Sequence, residues 1–177
     1  MNKAFFLDRD GVINKDHGYV HSWDKFELFE NTYDALRLIK QRGYLIIVIT
    51  NQAGIARGYY TESEFDCLMD KFRAEALAQG IKIDGVYHCP HHPEGLVPGL
   101  NIECGCRKPQ PGMIKRAAAE LGVDLSASYL VGDKISDIQA GMACRLKESF
   151  RIDSAPHGLA KNFPSLFEAV KFALSSH

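Results

Sequence analysis

Two aspartates, Asp8 and Asp10, follow directly on the apolar run Ala4–Leu7 and precede Gly11. Carboxylates so close together can divide nucleophilic and proton-transfer work between them, or share a metal ion. In open α/β sheets ligands collect at the carboxyl ends of strands, and Gly11 permits the sharp turn that faces both side chains into one pocket. The plain alternative, a solvated Asp-Gly turn, uses the same residue types. Further candidates recur along the chain. The run Tyr44–Ile49 ends in Thr50-Asn51-Gln52-Ala53-Gly54, Arg107-Lys108-Pro109 stands before a helical pattern, and Tyr129–Val131 ends in Gly132-Asp133-Lys134. An acid pair, a hydroxyl, a lysine and another acid appear in that order, three of them at strand ends.

A second group differs in kind. Of the cysteines at 67, 89, 104, 106 and 144, three fall between His88 and Pro111, a stretch rich in proline and glycine with no helical period. Such a loop inside a compact domain needs a stabiliser. Cys89 with His91 or His92, and Cys104 with Cys106, offer the four soft or borderline ligands of a tetrahedral structural zinc. Cys67 and Cys144 sit in helical patterns and read as small core residues.

The elements that must position these groups are expected as follows. Strands run over Ala4–Leu7, Tyr44–Ile49, Gly85–Cys89, Tyr129–Val131 and Ser149–Ile152; the first, second and fourth show little alternation, as in central strands buried on both faces. A helix spans Asn31–Arg42 with Gly43 beyond it, presenting Tyr33, Leu36, Ile39 and Lys40 near one face. Thr61 and Glu64 form a capping box before Phe65, Leu68, Met69, Phe72 and Ala76. Pro111 opens a third helix that Gly122 closes, Ser136 opens a fourth, and Phe163–Leu174 forms the fifth. Alternating strands and helices predict a doubly wound, Rossmann-like parallel α/β fold.

Across nearly all of its length the chain resembles the haloacid dehalogenase (HAD) superfamily of phosphohydrolases, in its sugar-bisphosphate branch. The resemblance rests on Phe6–Gly11, Asp16–Val20, Thr50–Gly58, Cys89–Pro93, Cys104–Pro109 and Val131–Lys134. It implies that Asp8 is the nucleophile forming an aspartyl-phosphate and that Asp10 is the general acid and base, with Thr50, Asn51 and Lys108 on the phosphoryl oxygens. It implies Mg²⁺ on the Asp8 and Asp133 carboxylates and the Asp10 carbonyl. It also selects His91 as the fourth zinc ligand, and places Asp16, His17, Gly18, Tyr19, Gln52, Ala53, Arg107 and Lys134 against the substrate. Asp137 would orient Lys134 or Lys108. Arg57 is either a partner for a second phosphate or a surface cation, and Trp23 reads as packing.

No long insert separates the motifs, so residues 1–177 are expected to form one capless domain, with the zinc loop (about 88–109) and Asp16–Val20 doing a lid's work. Where the family shows a glycine-bearing turn into the last strand, this chain has Cys144-Arg145-Leu146-Lys147-Glu148, which predicts a weakened fifth strand.

Composition bounds the rest. The chain has 177 residues, 21 Lys+Arg and 22 Asp+Glu, for a net charge of −1, without the basic excess of nucleic-acid or membrane-surface binders. At 46% hydrophobic and 24% charged residues it is an ordinary globular chain. The apolar run at the N-terminus is too short for a signal peptide, so a cytosolic monomer acting on a small sugar bisphosphate is expected, with neither membrane nor nucleic acid as partner. The competing readings are a histidinol-phosphate phosphatase, a polynucleotide 3′-phosphatase and a zinc-stabilised binding module without turnover. The string Asn51–Gly58 argues against the first, the missing P-loop and basic excess against the second, and the intact Asp8, Asp10, Lys108 and Asp133 against the third.

Overall fold

The computed structural model describes residues 1–155 and 158–175. Six parallel strands form one sheet: β1 (Ala4–Leu7), β2 (Leu45–Asn51), β3 (Gly85–Cys89), β4 (Tyr129–Gly132), β5 (Glu148–Ile152) and β6 (Lys161–Phe163), in the spatial order β3-β2-β1-β4-β5-β6. Strand order reverses beside β1, between β2 on one side and β4 on the other. That is the switch point at which doubly wound sheets open a crevice.

The apolar runs separate by a period of two. Phe5 and Leu7 of β1, Ile46 and Val48 of β2, and Tyr129 and Val131 of β4 enter one core with α1 (Thr32–Gln41), α3 (Glu62–Ala78) and α6 (Leu166–Ser175). Ala4 and Phe6, Ile47 and Ile49, and Leu130 enter the other with α4 (Gly112–Leu121) and α5 (Ile135–Ala143). Both faces are covered, so the strands need no polar face. Each buried Phe, Ile or Leu contributes about 1.5–3 kcal/mol.

The helix signals hold with small shifts. In α3 the Thr61 Oγ1 accepts from the Glu64 N–H at 3.1 Å while Glu64 Oε2 accepts from the Thr61 N–H at 2.7 Å. The first helix buries Thr32, Ala35, Leu36 and Ile39, whereas Lys40 pairs with Asp84 at 2.8 Å. Pro111 caps α4 from outside, and α5 starts at Ile135 with the Asp137 carboxylate accepting from the Lys134 N–H at 3.0 Å.

The structure corrects two expectations and adds one element that had none. The last helix begins at Leu166, because Phe163 ends the short strand β6, which pairs with β5. The segment after Gln52 carries the one-turn helix α2 (Ala53–Ala56). The fifth strand is not weakened: it pairs with β4 and β6, and Arg145 itself takes the left-handed conformation (φ 53°) that a glycine would supply. No helix among the described residues is long and apolar enough to cross a membrane.

Candidate active site

Each strand of the crevice delivers one group. The Asp8 N–H donates to the Val131 carbonyl at 3.0 Å, fixing the end of β1 against β4. Asp8 is then 6% exposed, and Oδ1 accepts from Lys108 Nζ at 2.9 Å. Lys108, 4% exposed, also lies 2.6 Å from Asp137 Oδ1 and donates to the Ile49 carbonyl at 2.9 Å. One ammonium thus ties together the ends of β1, β2 and α5. Burial pushes the Asp8 carboxyl well above its ordinary range, with the Lys108 ammonium opposing the rise. Burial alone would loosen the Lys108 proton, but the two carboxylates hold it more firmly than in an exposed lysine.

Asn51 fixes that lysine's backbone. Its Oδ1 accepts from the Lys108 N–H at 3.0 Å and its Nδ2 donates to the Lys108 carbonyl at 3.1 Å. Both ends of the amide are thus engaged by the Lys108 backbone, while Asn51 also lines the pocket. Thr50 Oγ1 accepts from Gln52 Nε2 at 2.8 Å, and the same Nε2 donates to Asp10 Oδ2 at 3.2 Å. Asp10 also accepts from Asn14 Nδ2 at 2.9 Å and from the Arg9 guanidinium. Tyr60 donates to Gln52 Oε1, and burial pushes its phenol up to about 12.

Two glycines are required by close approach. A Cβ on Gly11, whose φ is +87°, would lie 2.4 Å from Asp133 Oδ2. One on Gly132 would lie 2.3 Å from the Asp137 Cβ. Asp133 Oδ1 is buried with no hydrogen-bond partner among the described residues, and ligand oxygens of Asp8, Asp133 and Asp137 lie within 4.8 Å of one another. With Asp137 engaged by Lys108 and the Lys134 N–H, Asp8 and Asp133 remain as an oxygen donor pair that suits a hard cation such as Mg²⁺.

The second group is closed. Cys89 Sγ lies 3.5 Å from Cys104 Sγ and 3.0 Å from Cys106 Sγ, which are 3.3 Å from each other. His91 Nδ1 lies 3.7 Å from Cys89 Sγ and 3.4 Å from Cys106 Sγ. Around a tetrahedral zinc with bonds of about 2.3 Å, sulfurs stand roughly 3.8 Å apart. An ion fits there with sub-ångström spreading of the sulfurs. Burial opposes ionisation of Cys104, but donation from the Arg107 N–H at 3.4 Å and from neighbouring groups draws its thiol down to about 7. His92, the rival ligand, turns instead into the pocket.

That pocket, about 530 Å³, is lined by Asp8, Asp10, Asp16, Gly18, Tyr19, Thr50, Asn51, Gln52, Ala53, Arg107, Lys108 and Lys134. It leaves out His17, whose Nε2 lies 2.8 Å from Glu27 Oε2. Arg57, left open as a second-phosphate partner or a surface cation, lines it as well, and so do Tyr60, His92 and Ser136, which the motifs did not assign to the site. The signal for Arg57 was its place just beyond Thr50–Ala53, where α2 turns it back. Burial holds His92 below the ordinary imidazole range, and the Arg107 and Arg57 guanidiniums add to that. Two half-buried cations, Arg57 and Arg107, thus stand near His92 in the pocket that also holds the buried acids, a lining suited to a molecule carrying two anionic groups.

The HAD-hydrolase-like family profile matches residues 105–147. The chain is 48% identical over 143 residues, 81% of its length and 76% of the relative's, to D-glycero-beta-D-manno-heptose-1,7-bisphosphate 7-phosphatase of Yersinia pestis. It is 47% identical over 150 residues, 85% of its length and 82% of the relative's, to D-glycero-alpha-D-manno-heptose-1,7-bisphosphate 7-phosphatase of Photorhabdus laumondii. D,D-heptose 1,7-bisphosphate phosphatase of B. bronchiseptica, solved with magnesium and phosphate, superposes with a TM-score of 0.84 at 28% identity, covering 99% of each chain.

Proposed function

The chain belongs to the HAD-like phosphatase family, and from that premise we propose that it removes the C7 phosphate of D-glycero-D-manno-heptose 1,7-bisphosphate in a Mg²⁺-dependent reaction. The observation that carries the reading is that one pocket holds both the buried Asp8–Lys108–Asp137 cluster and two further cations, Arg57 and Arg107. One end attacks a phosphate; the other holds a second.

A phosphate monoester dianion repels its attacker, so charge must be neutralised and the attack held in line. Lys108, Thr50 and Lys134 supply that at the reacting end. An Asp8 oxygen bonds to phosphorus as the ester P–O bond breaks, and a proton from Asp10 passes to the departing alkoxide. Water then bonds to phosphorus, giving its proton to Asp10, and the P–O bond to Asp8 breaks to restore the carboxylate. Such acid–base help is worth about 10²–10⁴-fold. The Asp8 and Asp133 carboxylates and the Asp10 carbonyl would hold Mg²⁺, which when bound offsets negative charge on the phosphoryl oxygens. Asp137 and Asn51 position Lys108. Cys89, His91, Cys104 and Cys106 would hold a structural zinc that aims Arg107 and Lys108, and cysteines without disulfides suit a reducing cytosol.

Residues 1–177 act in this reading as one monomeric catalytic domain. The exocyclic C7 phosphate enters a capless pocket more easily than one fixed to the ring, and the sugar then extends past Tyr19 toward Arg107 and Arg57. The 1-phosphate product is the form that nucleotide activation needs for lipopolysaccharide-type glycan synthesis. Phosphate release across sugar bisphosphates, histidinol phosphate and 3′-phosphorylated DNA tests the reading, with Asp8→Asn as control. The heptose bisphosphate should be preferred and the control inactive. Preference for histidinol phosphate or DNA, or turnover by Asp8→Asn, would contradict it.

A further inference from the structure

One buried charge has no part in the chemistry above. Arg9, between the two aspartates, is 0% exposed and lies outside the pocket lining. Its guanidinium sits 5.8 Å from the Phe26 ring and 5.6 Å from the Phe65 ring. Nε lies 3.2 Å from both Asp10 oxygens, and Nη2 lies 2.9 Å and 3.0 Å from them. The same Nη2 donates to the carbonyl of Val20, where the Asp16–Val20 loop ends, while Nη1 is buried without a partner among the described residues.

The loop reaches Asp10 by a second route. The His21 ring stacks on Tyr60 at 4.7 Å and 6°, Tyr60 donates to Gln52, and Gln52 Nε2 donates to Asp10 Oδ2 at 3.2 Å. Taking a guanidinium out of water is expensive, and a buried ion pair is a poor stabiliser compared with apolar packing. A bidentate grip on one carboxylate, shared with the end of the Asp16–Val20 loop, supplies something that packing cannot: direction.

We propose that Arg9 is a positioning residue that couples the Asp16–Val20 loop to the Asp10 carboxylate, so that the acid–base is aligned when the loop is seated over the sugar. The inference rests on Asp10 being the acid–base of the proposed reaction. Loop seating takes the place of cap closure: Tyr19 and Asp16 meet the sugar, the loop's end sets Val20, and Arg9 carries that position to Asp10 through rigid contacts.

Rapid-mixing kinetics with 4-nitrophenyl phosphate, whose leaving group needs no proton, separates the two half-reactions. In Arg9→Met the first release of nitrophenolate should stay within about three-fold of wild type, while steady turnover falls about ten-fold or more and phosphorylated enzyme accumulates. Heptose bisphosphate turnover should fall in kcat with little change in KM, and Arg9→Lys should recover part of the loss. Gly18→Ala strains the loop at φ +79° with nothing within 4 Å of the new Cβ. It should give the same split, and adding it to Arg9→Met should cost little more. If Arg9→Met does not fold, Phe65→Leu takes its place, loosening Arg9 with its charge intact. Equal losses in burst and steady turnover, no loss at all, or additive losses in the double variant would overturn the coupling. Phosphate release by Asp8→Asn would instead defeat the parent reading.

Discussion

Lys108 shows how much of the site depends on pairing rather than on residue type. Its ammonium lies between Asp8 at 2.9 Å and Asp137 at 2.6 Å, all three nearly excluded from water. Asp137→Asn keeps the shape and removes one of two counter-charges. Breaking a buried pair costs on the order of 3 kcal/mol, so the unfolding free energy from urea titration should fall by that much and the midpoint move to lower concentration, with kcat falling more than KM rises. An unchanged midpoint would show that Asp137 does not hold Lys108 in place. The expected role of Asp137, orienting Lys134 or Lys108, was legible because it stands one helical turn beyond Asp133; in the structure it reaches both, through Lys108 Nζ and the Lys134 N–H. Partner choice was less legible. Asn51 and His17 stand at motif positions, yet the Asn51 amide engages the Lys108 backbone and His17 meets Glu27. Local sequence sets which strand end a side chain leaves from, whereas long-range packing decides what it touches.

At the scale of elements, long periodic segments were readable and short ones were not. The strands β1 to β5 and the capping box of α3 follow from apolar period and cap chemistry, whereas α2 and β6 are too short to register a period. Arg145 marks another limit: the turn before β5 has no glycine, and exposed Arg145 adopts φ 53° instead. Arg145→Gly removes that strain and should raise stability by about 0.5–1 kcal/mol, read from thermal unfolding. A loss of stability would mean that the arginine side chain contributes more than its backbone costs. The loop from 90 to 111 has neither helix nor strand, and its order follows from the thiol–imidazole cluster. Metal analysis should find one zinc per chain. Cys104→Ser should lose that zinc and most activity together, because Arg107 and Lys108 follow Cys106 directly. Zinc-free wild-type protein with full activity would remove the loop's assigned stabiliser.

For the molecule as a whole, topology does the gathering. The order β3-β2-β1-β4-β5-β6 puts β1 at the reversal, so Asp8 and Asp10 share a pocket with Thr50 from β2, and Asp8 lies beside Asp133 just past β4, although these are far apart in sequence. Alternating strands and helices made that crevice foreseeable. The second cation group was only half foreseeable, because Arg57 reaches the pocket through the unforeseen α2. If Arg107 holds the distal phosphate, Arg107→Ala should lower kcat/KM about ten-fold for the bisphosphate and much less for a small monophosphate. Equal losses would place Arg107 at the reacting end instead. Orientation is the central claim, and the product reports it directly. Phosphorus and proton NMR of the product formed from heptose 1,7-bisphosphate should show the remaining phosphate coupled to the anomeric proton, as heptose 1-phosphate. Heptose 7-phosphate, with its phosphorus coupled to the exocyclic C7 protons, would contradict the account.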